Sequence, residues 1–365
     1  MYFKALQYRG LRNLKPGKIT FDRELNIFFG DNGAGKSSIL EAIALIASGR
    51  SFRTNKFELI ANHADTQFTL FAQMDDQTKV GLGYTKANKK REIRLNGETI
   101  NSLSALSKIY PTQVLSPESY HLIDSGPAER RKYIDWCLFH VKHDYHEYWK
   151  KYNQVLQQRN ALLKSIKYKG SSKAQLDSWN SQLCSLSNII NRAREDIIEQ
   201  LEYELNKIII KLDAEFCNEL KIGYYPGYSG MLDERLVESL ESDIRSGTTK
   251  YGAHRADIRL KVEQGLVKDY FSRGQKKIII NALFLAQTAV LKRLSNKDSL
   301  FLLDDFTSEL DEQNQRSLLE LLFQQKNVQT MLSCLQRDSL SWLKNRYNST
   351  HMFHVEHGTI SPINE

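Results

Sequence analysis

The sequence has little cysteine and no spacing that would put it to chemical use. Its four cysteines, Cys137, Cys184, Cys217 and Cys334, form no CxxC pair. Each lies in an apolar-periodic segment where a small hydrophobe would serve, which excludes a thiolate zinc site or a redox dithiol and leaves reduced core thiols. The chain also lacks a continuous apolar run of about 18 residues and opens without a secretory signature, so neither a membrane span nor a leader is expected, and the cytoplasm is the expected compartment. Two histidine series, His140/His143/His146 and His351/His354/His357, have spacings that drift around a helix or change face on a strand, so neither suits a shared metal. No helix-turn-helix, zinc-finger or RRM signature, internal repeat or low-complexity segment is present. Any DNA binding is therefore expected to be blind to base sequence.

What is present is a chain of 365 residues, 41% hydrophobic and 26% charged, long enough for one sizeable core and a second, smaller one. Lys and Arg number 51 against 43 Asp and Glu, a net charge of +8 that favours an anionic partner such as nucleic acid. Alternation in YFKALQYRG followed by the apolar run LNIFF predicts an edge strand and then a buried one. A Gly-rich loop and KSSILEAIALIASG complete a strand-loop-helix unit that stops at Gly49. Short runs between 66 and 100 predict a small antiparallel sheet. From about 117 to 217 long helices dominate, with apolar steps of three and four from Leu176 to Phe216 and a turn at 167–173 that makes an αα-hairpin. After Gly252 the α/β pattern returns, with a helix from Gly274 to about Ser295, the strand SLFLLDD, a helix to about Gln325, the strand VQTMLSC and a last strand near MFHVEH. The expected architecture is an α/β phosphate-loop lobe over 1–115 and 251–365, with an inserted, mainly helical lobe over 116–250.

Three elements carry the chemistry. Gly30, Asp31, Asn32, Gly33, Ala34, Gly35, Lys36 and Ser37 match GxxxxGK[ST] between a buried strand and a helix, the context that motif requires, and Ser38 follows in the first helical turn. Backbone N–H groups there can surround phosphate oxygens, Lys36 can reach the β and γ phosphates of ATP, and Ser37 can hold Mg²⁺. The apolar strand that ends in Asp304 and Asp305 supplies the second half. Asp304 is the candidate magnesium ligand and Asp305 the group that orients or activates water. Third, Ser272-Arg273-Gly274-Gln275 opens a helix about 30 residues before the acidic strand and offers a second helix N-terminus to an anion.

The order and spacing of these elements resemble ATPases of the ABC and SMC class. The resemblance implies that Ser272, Gly274 and Gln275 of one subunit cap the ATP held by another, and that Ser308-Glu309-Leu310-Asp311 bridges the two sites, with Asp311 a nucleotide-site residue. It narrows to the RecF family through Gly49-Arg50-Ser51-Phe52-Arg53, Ser116-Pro117-Glu118, Gly126-Pro127 with Glu129-Arg130-Arg131 and Asp135, Arg159-Asn160 with Leu163-Lys164, and Gly252-Ala253-His254-Arg255 with Asp257. Membership would imply an ATP-dependent homodimer, binding to single- and double-stranded DNA, and a part with RecO and RecR in placing RecA at gaps, tied to replication and the SOS response. Two positions depart from that pattern, Ala253 where proline is usual and Ala256 where a second Asp is. Asp305 replaces the Glu base of many ABC-class ATPases and Ser333-Cys334 occupy the region of their switch histidine, which implies slow, DNA-dependent hydrolysis. Basic clusters at Arg9, Arg12, Lys15 and Lys18, and at Lys86, Lys89, Lys90, Arg91 and Arg94, are candidate DNA contacts. The alternative weighed against this, the ATP-binding subunit of an ABC-type transporter, would not need the long helical pair between phosphate loop and signature.

Overall fold

The computed structural model describes residues 2–170, 172–212, 214, 216, 220–325, 327–343 and 350–363. The chain divides into two compact units, one of residues 1–120, 277–288 and 296–365, the other of 121–276 and 289–295.

In the first unit, a six-stranded sheet has the order Thr359–Ile363, Thr350–Glu356, Leu25–Phe29, Val328–Cys334, Ser299–Leu303, Thr112–Leu115. Its pairings are parallel except at the last hairpin. Leu25–Phe29 and Ser299–Leu303 are buried at every position, the polar Asn26 and Ser299 included, as their mainly apolar sequences suit in a sheet covered on both faces. A second, antiparallel sheet joins Gly17–Thr20, Phe3–Arg9, Gln67–Met74, Lys79–Thr85, Lys90–Leu95 and Glu98–Thr99 in that order. Helix Lys36–Ser48 shares one core with both sheets: Ile39, Ile43 and Ile46 cluster with Leu6, Phe68 and Leu82 of one and with Phe28, Leu302 and Met331 of the other. That double coverage explains why the helix is apolar almost all round and buried from Ser38 to Ala47. Phe3–Arg9 was expected at an edge, but it lies inside the antiparallel sheet, paired on both sides. Its alternation reports one buried face, and that pattern is the same for an edge strand and an inner one.

The second unit is built on helices Pro127–Val141, Tyr145–Lys169 and Leu176–Lys211, the last two forming the expected hairpin with Gly170 in the left-handed region at φ 65°. A three-stranded sheet, Gly265–Leu266, Asp257–Val262 and Lys221–Tyr225, completes it, and its short mixed segments gave no sequence signal. The division at 276/277 differs from the expected 250/251, because residues 251–276 pair and pack with the helical elements rather than with the phosphate-loop sheets. Helix Arg273–Ser295 passes through both units. Its best 18-residue window has a mean hydropathy of 1.3, long and apolar enough to cross a membrane, but polar residues interrupt it and 61% of that window is buried inside the protein, as in a core helix. Cys137 and Cys334 are buried, with burial pushing both thiols up to about 12. Cys184 is half-buried, and Cys217 lies outside the described residues.

Candidate nucleotide site

The loop over 30–35 leaves the sheet where a side chain has no room: Gly30 has φ 151°, and a Cβ there would meet the Val355 carbonyl oxygen at 2.1 Å. Two hairpin turns grip its crest. Asn13 Nδ2 donates to the Gly33 carbonyl at 2.8 Å, while Asn13 Oδ1 accepts from Ser38 Oγ at 2.9 Å. From the other end of the chain, Gly358 N–H donates to the Ala34 carbonyl at 2.9 Å, and Lys15 N–H to the Gly358 carbonyl at 2.8 Å. Helix Lys36–Ser48 starts without a side-chain cap. Its first N–H groups and the positive end of its dipole are left for an anion. Lys36, only 7% exposed, donates from Nζ to the carbonyls of Gly30 (2.6 Å) and Asp31 (2.8 Å). Burial lowers the pKa of its amine, against the pull of Asp305, Asp304 and Asp31.

Chain order separates Ser37 from Asp304 by 267 positions, and the fold joins them: Ser37 Oγ donates to Asp304 Oδ1 at 2.8 Å. The same oxygen accepts from Ser333 Oγ at 2.9 Å, and Ser333 Oγ in turn accepts from the Asp305 N–H at 2.8 Å. Burial raises the pKa of Asp304, opposed by the two hydroxyls and by the charge of Arg53. Asp305 is less buried and takes the left-handed region, φ 53° and ψ 42°, at the start of the turn Phe306–Glu309. Strand pairing explains the grouping, because Leu303 lies opposite Leu332 in parallel register and so brings Ser333 alongside Asp304. A hydroxyl and a carboxylate meeting beside an uncapped helix end are hard oxygen donors next to an anion cradle, a set that suits Mg²⁺ and a polyphosphate.

The other expected site residues have local roles that can be stated separately. In the second unit Ser272 and Gln275 form a capping box, with Gln275 N–H donating to Ser272 Oγ at 3.3 Å and Ser272 N–H to Gln275 Oε1 at 3.0 Å. Gly274 lies in that first turn with open space where a Cβ would be. Asp311 caps helix Glu312–Gln324 through Asn314 N–H at 2.9 Å, which holds its carboxyl below the usual range. Of the basic clusters, Arg12 is turned inward: its guanidinium makes a bidentate pair with Glu41, which is fully buried and also accepts from Ser51 Oγ. Arg91 lies over the Phe57 ring, and Lys86 donates to the Asn62 carbonyl. Arg12 is therefore structural rather than a free surface charge, whereas Arg91 stays exposed and Lys86 is half-buried. Sequence reasoning missed the placing roles of Asn13, Ser333 and Gly358. The sequence places Ser333 only in the switch-histidine region, its bond to Asp304 following from strand register, and nothing local marks the other two.

The family of the RecF/RecN/SMC N terminal domain matches residues 2–361. The DNA replication and repair protein RecF of Hahella chejuensis is 32% identical over the whole of both chains. That of Acinetobacter baumannii is 36% identical over 99% of each. The chain belongs to the RecF family. A solved structure of the recombination mediator protein RecF-ATP in the RecFOR pathway superposes with a TM-score of 0.86 at 27% identity, covering 100% of this chain and 98% of that one. An Smc head bound to the C-winged helix domain of ScpA shares the fold, at TM-score 0.58 and 16% identity. Together these establish the ABC/SMC-type ATPase fold that the motif order implied.

The RecF-like motifs over 126–257 form a polar network within the second unit, while those at 49–53 and 116–118 belong to the first. Arg130 pairs with Asp257 at 2.8 Å, Arg131 donates to the Ala256 carbonyl, and Asp135 forms a bidentate pair with Arg194. Arg159 and Asp243 make an ion pair at 2.8 Å with both side chains fully buried, while Asn160 accepts from Thr249. His254 Nδ1 lies 2.7 Å from Tyr152 Oη, and its Nε2 lies 3.0 Å from the Thr249 carbonyl.

Proposed function

We propose that this RecF-family chain is an ATP-dependent DNA-binding protein of recombinational repair and replication, which dimerises on ATP and hydrolyses it slowly. The observation that carries the reading is the meeting of Ser37 and Asp304 at 2.8 Å below an uncapped helix that begins with a buried lysine. In this reading the phosphate-loop N–H groups and Lys36 hold the ATP phosphates, with Lys36 exchanging its present carbonyl partners for phosphate oxygens. Ser37 and Asp304 would hold Mg²⁺, which would supply positive charge against the phosphate oxygens. Asp305 orients the attacking water, and Ser333 fixes both acids through the Asp304 carboxylate and the Asp305 N–H.

A short Asp in place of a Glu base, and a hydroxyl in place of an imidazole, suit a timed switch better than a motor. Ser272, Gly274 and Gln275 cap the nucleotide of a second copy and Asp311 couples the two sites, so ATP closes the dimer on single- or double-stranded DNA in the cytoplasm. By family resemblance its partners are RecR and RecO, and the outcome is RecA placed at gapped DNA. The test is ATP binding and hydrolysis with and without gapped duplex for wild type, Lys36→Ala and Asp304→Asn. Lys36→Ala should lose binding and Asp304→Asn should bind without turnover. Hydrolysis that survives Asp304→Asn contradicts the assignment.

A further inference from the structure

The outer face of the antiparallel sheet carries a feature that the nucleotide site does not use. Alternation buries Leu70, Leu82 and Ile93 on the core side, and the residues between them face out. Register lines up Lys18, Gln7, Phe71, Gly81 and Arg94 in one row across five strands. The next row is Arg9, Thr69, Gly83 and Glu92. At a strand spacing of about 4.8 Å, Lys18 and Arg94 stand about 19 Å apart. Among the described residues the acid on this outward face is Glu92, already paired with Arg94 at 2.6 Å, against the cations Arg9, Lys18, Lys79, Lys90 and Arg94. The face is therefore complementary to an anion.

At its centre the sheet is hollow rather than merely charged. A depression of about 310 Å³ lies over Gly81 and Gly83, walled by Thr69, Thr85, Lys90, Arg94 and the Glu92 that Arg94 pairs with. Neither glycine has a positive φ, and a Cβ on Gly81 or Gly83 would have its nearest neighbour at 3.8 or 4.0 Å. The fold thus requires glycine at neither position, although glycine inside a strand is unfavourable; in such places it often marks the close approach of a ligand. Phe71, one strand away and opposite Gly81, leaves 39% of its surface exposed.

We propose that this face binds single-stranded nucleic acid, with one unpaired base seated over Gly81 and Gly83 beside Phe71 and the flanking phosphates met by Lys18, Lys90 and Arg94. Cations alone would suit a duplex equally, since a duplex presents phosphates and hides its base faces. A hollow floored by bare backbone, with an exposed aromatic residue opposite Gly81 on the adjoining strand, matches the flat π-surface that only an unpaired base offers. The proposal rests on the DNA-binding reading and adds the strand type and the surface.

The test uses the full chain, a fluorescein-labelled oligothymidylate and a duplex of equal length, read by anisotropy, with ATP hydrolysis measured in parallel. Gly83→Val fills the hollow with a good strand former, and Phe71→Ala removes the ring without touching the core. Each is expected to weaken oligothymidylate binding about tenfold, a loss in the range of one base–aromatic stack, while duplex binding and hydrolysis stay within about twofold. Proportional loss of both DNA forms, or no loss of either, overturns the proposal. A wild-type chain that binds duplex but not oligothymidylate also overturns it and leaves the broader reading intact, whereas failure to bind either form removes both. Should Gly83→Val not fold, Phe71→Ala on the surface still decides the matter.

Discussion

Ser333 Oγ stands between the two acids of the phosphate site, donating to the Asp304 carboxylate at 2.9 Å while accepting from the Asp305 N–H at 2.8 Å. It occupies the strand end where related ATPases place an imidazole, and its work here is to hold geometry. Ser333→Ala is expected to lower ATP turnover about ten- to a hundredfold with little change in ATP affinity, because both hydrogen bonds are lost and the one to the charged carboxylate alone is worth about 1.5–3 kcal/mol. Steady-state kinetics check this, and a rise in KM with unchanged kcat would assign Ser333 to binding instead.

Asn13 reaches the phosphate loop from outside the motif, through the Gly33 carbonyl and Ser38 Oγ. Asn13→Ala should weaken ATP binding by about 1–2 kcal/mol, roughly five- to thirtyfold, since two hydrogen bonds that shape the loop disappear. Titration calorimetry with a non-hydrolysable analogue measures it.

Arg159 and Asp243 are wholly buried partners: Arg159 Nε and Nη1 also donate to Asn180 and Thr249, Asp243 Oδ1 accepts from the Lys250 N–H, and Arg159 Nη2 is left without a partner. Removing either alone leaves an uncompensated buried charge. Arg159→Met and Asp243→Ala are each expected to cost about 3–5 kcal/mol, and the double variant less than their sum. Denaturant unfolding of the four chains gives the cycle.

His254 is held neutral by burial, which brings its pKa down to about 4 from 6.5. The unfolded chain binds the proton first as pH falls, so the stability present above pH 6.5 is lost on descending through 6.5 towards 4. From about pH 7 to pH 5 the loss from this group is about 2 kcal/mol. His254→Gln should flatten that part of the profile, and an unchanged slope in urea midpoints would refute the assignment.

The parts legible in the sequence are those whose chemistry is local. The phosphate loop, the buried strands Leu25–Phe29 and Ser299–Leu303 and the helical hairpin each announce themselves within one continuous segment, through spacing and apolar runs. What escaped was long-range. Phe3–Arg9 alternates identically whether it borders a sheet or lies inside one, and the grip of Asn13 and Gly358 on the loop joins both ends of the chain. Arg12, expected as a surface contact, was betrayed only by a buried Glu41 brought near by the fold. The quoted motifs around Arg130, Asp135 and Arg159 supply ion pairs within the second unit, of which Arg159–Asp243 is wholly buried.

The central claim is that ATP joins two copies through Ser272. This serine also caps its own helix, so Ser272→Ala by itself confuses two roles. Ser272→Asp separates them, because aspartate is an equally good helix cap yet would set a negative charge against a phosphate. Sedimentation velocity of wild type and Ser272→Asp with ATP and Mg²⁺, with Lys36→Ala as the unliganded reference, is the direct measurement. The account predicts an ATP-dependent dimer for wild type and monomers for both variants. A Ser272→Asp chain that dimerises on ATP as wild type does would contradict it.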